Sequence, residues 1–247
     1  MQIRLINPNT TAGMTQKIGQ VAAELASPGT EISVSNPDSG PVSIESHFDD
    51  VFGAVGVLEE IRNAELAGGA DAYIIACFGD PGLLAAREMT RAPVLGIAEA
   101  AFHVASLIST RFSVVTTLGR TCVIAEHLLA QYGLGARCKR IRAAEIPVLD
   151  LEESPGRALE MIIDESIKAK REDGIGAIVL GCGGMADLTA QISEAVGLPV
   201  VEGVSAAVKL AEALVGLGAQ TSKHGDLDFP IKKPFLGRFD YLSQGVA

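Results

Sequence analysis

Short continuous apolar runs alternate along this chain with longer segments in which apolar residues recur every three or four positions. Short apolar runs bounded by turn residues are typical of strands that are buried on both faces. The runs lie at residues 3–6, 32–34, 72–76, 94–97, 112–115, 139–141, 177–180 and 199–201. Strands that are regularly separated by helices predict an α/β protein built from parallel βαβ units, with helices on both faces of each sheet.

Two of the intervening segments show the helical period most clearly. The apolar residues at that period are Phe48, Val51, Val55 and Leu58 within residues 46–67, and Leu159, Ile163 and Ile167 within residues 158–170. Because this spacing places each set on one face of a helix, we expect both faces to pack on a sheet. The alternation stops after Val215, and residues 223–247 are predicted to be a tail that packs on the rest of the chain or on a neighbouring molecule.

The second half of the chain repeats the first. An apolar run leads to Cys77 and the turn Phe78-Gly79, and an equivalent run leads to Cys182 and the turn Gly183-Gly184. A threonine at the end of an earlier strand precedes each cysteine, by 77 − 10 = 67 residues for Thr10 and by 182 − 117 = 65 for Thr117. This repeat predicts two homologous lobes, residues 1–97 with 208–247 and residues 98–207. If the lobes face each other about a pseudo-twofold axis, the carboxyl ends of their strands line one shared crevice, where ligands bind in such sheets.

Composition narrows the class of protein. The 247 residues are 48% hydrophobic and 20% charged, which is typical of a globular chain. The formal net charge of −10 opposes binding to nucleic acid or to an anionic membrane, and charged residues interrupt every apolar stretch that could span a bilayer. Four cysteines without a CxxC pair and an amino terminus without a leader pattern predict a cytoplasmic protein. The four histidines lack a ligand-like spacing, so no metal is expected.

The two repeated cysteines carry the candidate chemistry. Each follows a strand and precedes a predicted helix, where backbone N–H groups and the helix dipole are expected to lower the thiol pKa. Two acid–base groups on opposite sides of one crevice suit a reaction that removes a proton from one face of a carbon and returns it to the other. Backbone N–H groups in the turns after Cys77 and Cys182 are expected to stabilise the oxyanion that develops. Cys122 and Cys138 have no partner in the repeat and are interpreted as structural.

Four motifs resemble those of a known family. They are Ile6-Asn7-Pro8-Asn9-Thr10-Thr11, Gly40-Pro41-Val42-Ser43-Ile44-Glu45, Ala76-Cys77-Phe78-Gly79-Asp80-Pro81-Gly82 and Leu180-Gly181-Cys182-Gly183-Gly184-Met185. Up to about Gly218 the chain resembles the cofactor-independent aspartate/glutamate racemase superfamily, and within it the hydantoin racemase branch that includes allantoin racemases. The resemblance implies two flavodoxin-like lobes, an active site in the cleft between them, and no cofactor or metal. It also implies that Cys77 and Cys182 transfer the proton and that the substrate site is lined by Asn9, Phe78, Gly79, Thr116, Thr117, Gly183 and Gly184.

One departure from the amino-acid racemases of the superfamily points to the substrate. Those enzymes resemble one another in a histidine shortly after the second cysteine and an acidic residue in the first loop, whereas this chain has Gly183-Gly184-Met185 and the amides Asn7 and Asn9. The C5 proton of a hydantoin lies beside a carbonyl in a neutral ring and needs less assistance than the α-proton of a free amino acid. Amide and hydroxyl side chains can bind such a ring without a charged clamp. The predicted function is therefore racemisation of 5-monosubstituted hydantoins, with allantoin among the candidates.

Other interpretations stay open at this point. The chain could be another enzyme of the superfamily, such as an amino-acid racemase, a maleate isomerase or a malonate-type decarboxylase. It could also be a small-molecule binding module without catalysis, since fold alone does not imply function. The segment Asn7-Pro8-Asn9-Thr10 could serve only as a turn and helix cap. The expected partners are a small-molecule substrate and further copies of the same chain.

Overall fold

The structure is a computed structural model, which describes residues 1–244. Two four-stranded parallel sheets form the centre of the molecule. The strands are β1 (Gln2–Ile6), β2 (Glu31–Ser35), β3 (Ala72–Ile75), β4 (Val94–Gly96), β5 (Phe112–Thr116), β6 (Cys138–Ala143), β7 (Ala177–Leu180) and β8 (Val200–Val201). Each predicted run coincides with one strand, and the ends differ by at most two residues. The strand orders, β2-β1-β3-β4 and β6-β5-β7-β8, are the same in both halves. The predicted α/β class and the internal repeat are thus confirmed.

Nine α-helices connect the strands in the described part of the chain. They are α1 (Ala12–Leu25), α2 (His47–Leu66), α3 (Leu83–Met89), α4 (Ile97–Ile108), α5 (Cys122–Gln131), α6 (Asp150–Glu153), α7 (Pro155–Glu172), α8 (Thr189–Val196) and α9 (Gly203–Gly216). Short 3-10 helices span Gly119–Thr121, Gly183–Leu188 and Gly237–Gln244. None of the helices within residues 1–244 has both the length and the apolar character needed to cross a bilayer.

Helices α4 and α9 exchange places between the two lobes. Helix α4 follows the last strand of the first sheet but packs on β7 and β8, and α9 follows the last strand of the second sheet but packs on β3 and β4. The two helices, which are equivalent in the repeat, also pack on each other. This contact between equivalent elements places the pseudo-twofold axis between them. The division into residues 1–97 with 208–247 and residues 98–207 stays a prediction.

The packing face of α2 differs from the one predicted. Phe48 and Val51 are 72% and 62% exposed, and the helix instead turns a face containing Gly53 and Gly56 inward. A Cβ atom on Gly53 would lie 2.6 Å from the Cδ1 atom of Ile44, so the glycine permits a close approach by the loop before α2. The prediction was wrong because it was based on the spacing of large apolar side chains, whereas the contact between α2 and the loop before it requires a residue as small as glycine. In α7 the predicted residues Leu159, Ile163 and Ile167 are partly buried in the second lobe.

Two of the predicted buried strands, β2 and β6, lie at sheet edges and are partly exposed. Strand β2 is the outermost strand of the first sheet, and β6 is the outermost strand of the second. Val34 of β2 is 36% exposed, whereas β3, β5 and β7 are buried along their whole length. An edge strand pairs on one side only, and its short apolar run does not distinguish it from a central strand.

The predicted tail packs on the first lobe. The Lys223 Nζ atom donates to the carbonyl oxygens of Arg87 and Glu88 at the end of α3, and the Arg62 side chain of α2 donates to the carbonyl oxygen of Tyr241. The basic pair Lys232-Lys233 is exposed, as expected of a solvated surface. Residues 245–247 of the predicted tail lie outside the described residues.

Candidate active site

A single cavity brings together all nine residues predicted from the sequence to form the site. The carboxyl ends of β1, β3, β5 and β7 converge on it, so each lobe contributes two strands. The predicted residues that line it are Asn9, Cys77, Phe78, Gly79, Thr116, Thr117, Cys182, Gly183 and Gly184. The remaining lining residues are Asn7, Ile44, Ala76, Thr121, Ile124, Ala125, Val148 and Gly181. Their roles in binding and catalysis are proposals, developed below.

The two cysteine turns lead into different local structures. Cys182 is the N-cap of the 3-10 helix Gly183–Leu188, close to the predicted arrangement. Cys77 is separated from the start of α3 at Leu83 by a five-residue turn, residues 78–82, so the predicted order of cysteine, turn and helix holds, with a longer turn than Phe78-Gly79 alone. A Cβ atom on Gly183 would lie 3.0 Å from the carbonyl oxygen of Ala76. Glycine at this position therefore allows the second turn to pack closely on the strand end that carries Cys77.

Burial, rather than the turn dipoles, decides the ionisation of the thiols. Burial raises the pKa of Cys182 to about 11, although the Gly184 N–H group and the positive charge of Lys17 lower it. Burial also raises the pKa of Cys77; the Gly79 N–H group opposes the shift, and the negative charge of Asp50 adds to it. The lowered thiol pKa expected from the sequence is therefore wrong for the ligand-free protein. Although both cysteines are partly exposed, the protein atoms packed around them displace much of the water that would otherwise solvate a thiolate.

The loop after β1 is both a turn and a wall of the cavity. The Asn7 Nδ2 group donates to Asn9 Oδ1 at 2.9 Å and to Thr15 Oγ1 at 3.0 Å, and the Thr11 backbone N–H group donates to Asn9 Oδ1 at 2.9 Å. These bonds occupy the amide oxygen of Asn9, and its Nδ2 group donates to the Met14 Sδ atom at 3.5 Å, so the second Nδ2–H is the part that can donate to a ligand in the cavity. The segment is thus a turn that also lines the cavity, whereas the predicted helix cap is not present, because the N-cap residue of α1, Thr11, makes no side-chain capping hydrogen bond.

The loop before α2 forms a wall that the sequence analysis did not select. Ile44 lines the cavity together with Val148 from the second lobe. The neighbouring Glu45 Oε1 atom accepts a hydrogen bond of 3.0 Å from the Val148 backbone N–H group and thus ties this wall to the other lobe. The motif that contains Ile44 was the available signal, but nothing in a single apolar residue distinguishes a cavity wall from a core position. Among the described residues, no group of three or more His, Cys, Asp or Glu side chains could hold a metal ion.

The sequence profile of the Asp/Glu/Hydantoin racemase family matches residues 3–211, which is most of the chain and includes both cysteine turns. The chain belongs to the Asp/Glu/hydantoin racemase family. The fold, the repeat and the position of the cavity agree with the resemblance identified from its motifs, and that resemblance is confirmed.

Members of this family with assigned names match over nearly their whole length. A hydantoin racemase from Rhizobium meliloti is 49% identical over 237 residues, which cover 96% of this chain and 98% of that protein. Among solved structures, an allantoin racemase from Klebsiella pneumoniae has a TM-score of 0.95 at 54% identity and 98% coverage of both chains. The allantoin racemase from Pseudomonas fluorescens has a TM-score of 0.91 at 41% identity, covering 96% of this chain and 100% of that one.

Proposed function

We propose that this protein is a racemase of 5-monosubstituted hydantoins, with allantoin among its candidate substrates, and that Cys77 and Cys182 exchange the C5 proton. The observation that carries the proposal is the pair of cysteines at equivalent strand ends of a repeat, both lining one cavity. The names of the family members that match over the full length support the same class of substrate.

The proposed reaction proceeds by two proton transfers. The thiolate of one cysteine takes the C5 proton, and the electron pair of the C–H bond moves into the ring to form an enolate on the neighbouring carbonyl. The thiol of the other cysteine then gives its proton to the opposite face of C5, and the enolate returns to the carbonyl. One turnover exchanges the thiol and thiolate states, so the same site serves both enantiomers. All atoms balance without a cofactor.

Some hydrogen-bond donors around the cavity act on the two thiols, and the others are available to the substrate. The N–H groups of Gly79 and Gly184 act on Cys77 and Cys182, respectively, and favour the thiolate form of each. We therefore assign stabilisation of the enolate to the N–H groups of Phe78 and Gly183 and to the Asn9 amide. This refines the sequence-based expectation, in which both residues of each turn served the oxyanion.

The composition of the cavity favours a neutral substrate. None of the lining residues, all of which belong to the described part of the chain, carries a charged side chain. A free amino acid would bring a carboxylate and an ammonium group into this cavity, and burying an unpaired charge is costly. A hydantoin ring brings only amide-type N–H and C=O groups, which Asn and Thr side chains can satisfy.

A polarimetric screen tests the substrate class. We expect loss of optical rotation with L- and D-hydantoins or with (S)- and (R)-allantoin, without added cofactor and after treatment with a chelator. Free aspartate and glutamate serve as the comparison, and a sample without enzyme corrects for spontaneous racemisation. Activity on a free amino acid together with none on any cyclic ureide would refute the proposal.

The raised thiol pKa values predict how the reaction depends on pH. The active form needs one thiolate, and the raised pKa values keep both partly exposed thiols of the free enzyme mostly protonated at neutral pH. We therefore expect kcat/KM to rise by about tenfold per pH unit between about pH 6 and 8, because this parameter reports ionisation in the free enzyme. Initial rates corrected for the uncatalysed reaction provide the measurement. A profile that is flat over this range would show that a thiolate already exists at neutral pH.

Assembly and location are proposed on separate observations. We propose a homo-oligomer because Phe48, Val51 and Phe52 expose apolar side chains on one stretch of α2. A mass in light scattering that equals that of a single chain would reject this proposal.

We propose a cytoplasmic location because all four cysteines are free thiols, as is usual in a reducing compartment. Recovery of the protein outside the cytoplasm after cell fractionation would contradict that location.

A further inference from the structure

A buried carboxylate lies in the turn after Cys77. Asp80 is 5% exposed, and its backbone N–H group donates to the carbonyl oxygen of Cys77 at 3.0 Å. Its side-chain oxygens accept hydrogen bonds from the backbone N–H groups of Ala98 at 3.0 Å and Glu99 at 2.9 Å, in the first turn of α4. Asp80 thus connects the cysteine turn to a helix that packs on the second lobe.

In the second half of the repeat, the equivalent helix start is capped by a carboxylate from a different position. Helix α9 is the equivalent of α4, and its own N-cap residue, Glu202, accepts hydrogen bonds from the backbone N–H groups of Val204 and Ser205. The N-cap position of α4 is Gly96, which has no side chain to do this. A Cβ atom on Gly96 would overlap the carboxyl group of Asp80, so the glycine creates the space that this group fills. In the first half, the capping carboxylate therefore belongs to the cysteine turn, whereas in the second half it belongs to the N-cap residue of the helix itself.

Two further features show that Asp80 is held under constraint. Its φ of 46° lies in the left-handed region, which residues other than glycine adopt only when other contacts hold them there. The Tyr132 hydroxyl group, at the end of α5 in the second lobe, donates to Asp80 Oδ2 at 2.7 Å. Burial raises the pKa of Asp80 to about 7, and the Tyr132 and backbone donors oppose that shift by stabilising the carboxylate.

We propose that Asp80 is a positioning residue for Cys77, which holds the Cys77 turn against α4 and the second lobe so that the thiol faces C5 of the substrate. The proposal rests on the proposed function. Cys182 has no such tie to a capping carboxylate in its own turn, because Glu202 caps α9 locally. Loss of the Asp80 side chain should therefore impair one proton transfer and spare the other.

The first test measures each proton transfer separately. Asp80→Asn is introduced into the Cys182→Ser variant, where Cys77 alone remains, and into the Cys77→Ser variant, where Cys182 alone remains. Asn tolerates the left-handed backbone, so the change acts mainly on the side chain. In deuterium oxide we expect Asp80→Asn to slow C5 exchange when Cys77 is the remaining base, because small displacements of a reacting group cost about 100-fold and this outweighs the loss of a negative charge that raises the pKa of Cys77. Exchange by Cys182 should be unchanged.

The second test separates positioning from stability. The double variant Asp80→Gly/Gly96→Asp keeps the composition and charge of the chain but returns the capping carboxylate to the start of α4, as in the second half of the repeat. Glycine also accommodates the positive φ at position 80. We expect its midpoint of thermal unfolding to exceed that of Asp80→Gly alone, while kcat/KM for racemisation stays as low as in that single variant. Tyr132→Phe, which removes one donor only, should slow exchange by Cys77 to a smaller extent.

The outcomes distinguish the two proposals. If neither single-cysteine variant exchanges C5 above the uncatalysed rate, the cysteine mechanism fails. If both exchange and Asp80→Asn slows them equally or not at all, the positioning role is wrong. Recovery of kcat/KM together with stability in the double variant would also overturn it, since Asp80 would then act only as a helix cap. Should Asp80→Asn not fold, the double variant and Tyr132→Phe decide the question.

Discussion

Replacement of either Cys77 or Cys182 by serine is expected to abolish racemisation in both directions. Each direction needs one group as base and the other as acid, so neither cysteine can substitute for its partner. Serine is a far weaker acid than cysteine, and general acid–base catalysis contributes about 10²–10⁴-fold, so kcat/KM should fall by at least about 100-fold in each variant. Polarimetry on both enantiomers of one hydantoin provides the measurement.

The other two cysteines supply matched controls. Cys122 begins α5 and Cys138 begins the edge strand β6, and neither lines the cavity. Cys122→Ser and Cys138→Ser should therefore retain racemisation at nearly the parental rate. A Cys182→Ser variant that still racemised at that rate would refute the two-base mechanism.

The second large effect is a separation of proton exchange from inversion. In a single-cysteine variant the remaining thiolate can remove the C5 proton from the face that it reaches and return a solvent deuteron to the same face. In deuterium oxide we therefore expect one enantiomer to gain deuterium at C5 without inverting. The two variants should act on opposite enantiomers, since Cys77 and Cys182 belong to opposite lobes.

Nuclear magnetic resonance of C5–H with separated enantiomers measures this exchange. Hydantoin C5 protons also exchange spontaneously, so a sample without enzyme and one with a Cys77→Ser/Cys182→Ser double variant define the background. Deuterium uptake into the same enantiomer in both variants would mean that the two thiols do not face opposite sides of the substrate.

The two halves of the site share the same strand arrangement but differ in their charges. Lys17 reaches the second cysteine turn, where its Nζ atom donates to the Gly184 carbonyl oxygen at 3.2 Å and lowers the pKa of Cys182. The first turn is flanked by Asp50 and Asp80, whose negative charges raise the pKa of Cys77. A repeat therefore need not make the two proton transfers equally easy, and the exchange rates of the two single-cysteine variants measure the difference directly.

The amino-acid sequence alone was sufficient for the positions of the strands, for the repeat and for the cysteine and polar members of the cavity, but not for apolar walls such as Ile44 and Val148. Central strands such as β3 and β7 must be apolar on both faces, so their runs are unambiguous, and a cysteine that ends such a run has a defined position at the sheet edge. Because the carboxyl ends of parallel strands meet, the Asn, Thr and Cys residues that come after these strands converge on one cavity. The chemistry predicted for the cavity depends only on which residue types meet there.

Only the tertiary structure decided which surfaces meet and what the environment does to each group. The inward face of α2 depends on Gly53 lying against Ile44, and a glycine leaves no trace in an apolar period. The direction of the thiol pKa shifts is the sum of burial, nearby N–H groups and distant charges such as Lys17, whose balance requires coordinates. Asp80 and Gly96 act as a pair across 16 residues of sequence, and the local pattern around either one is that of an ordinary turn. Sequence periodicity reports the polarity of a face, whereas function here also depends on contacts between faces that are distant along the chain.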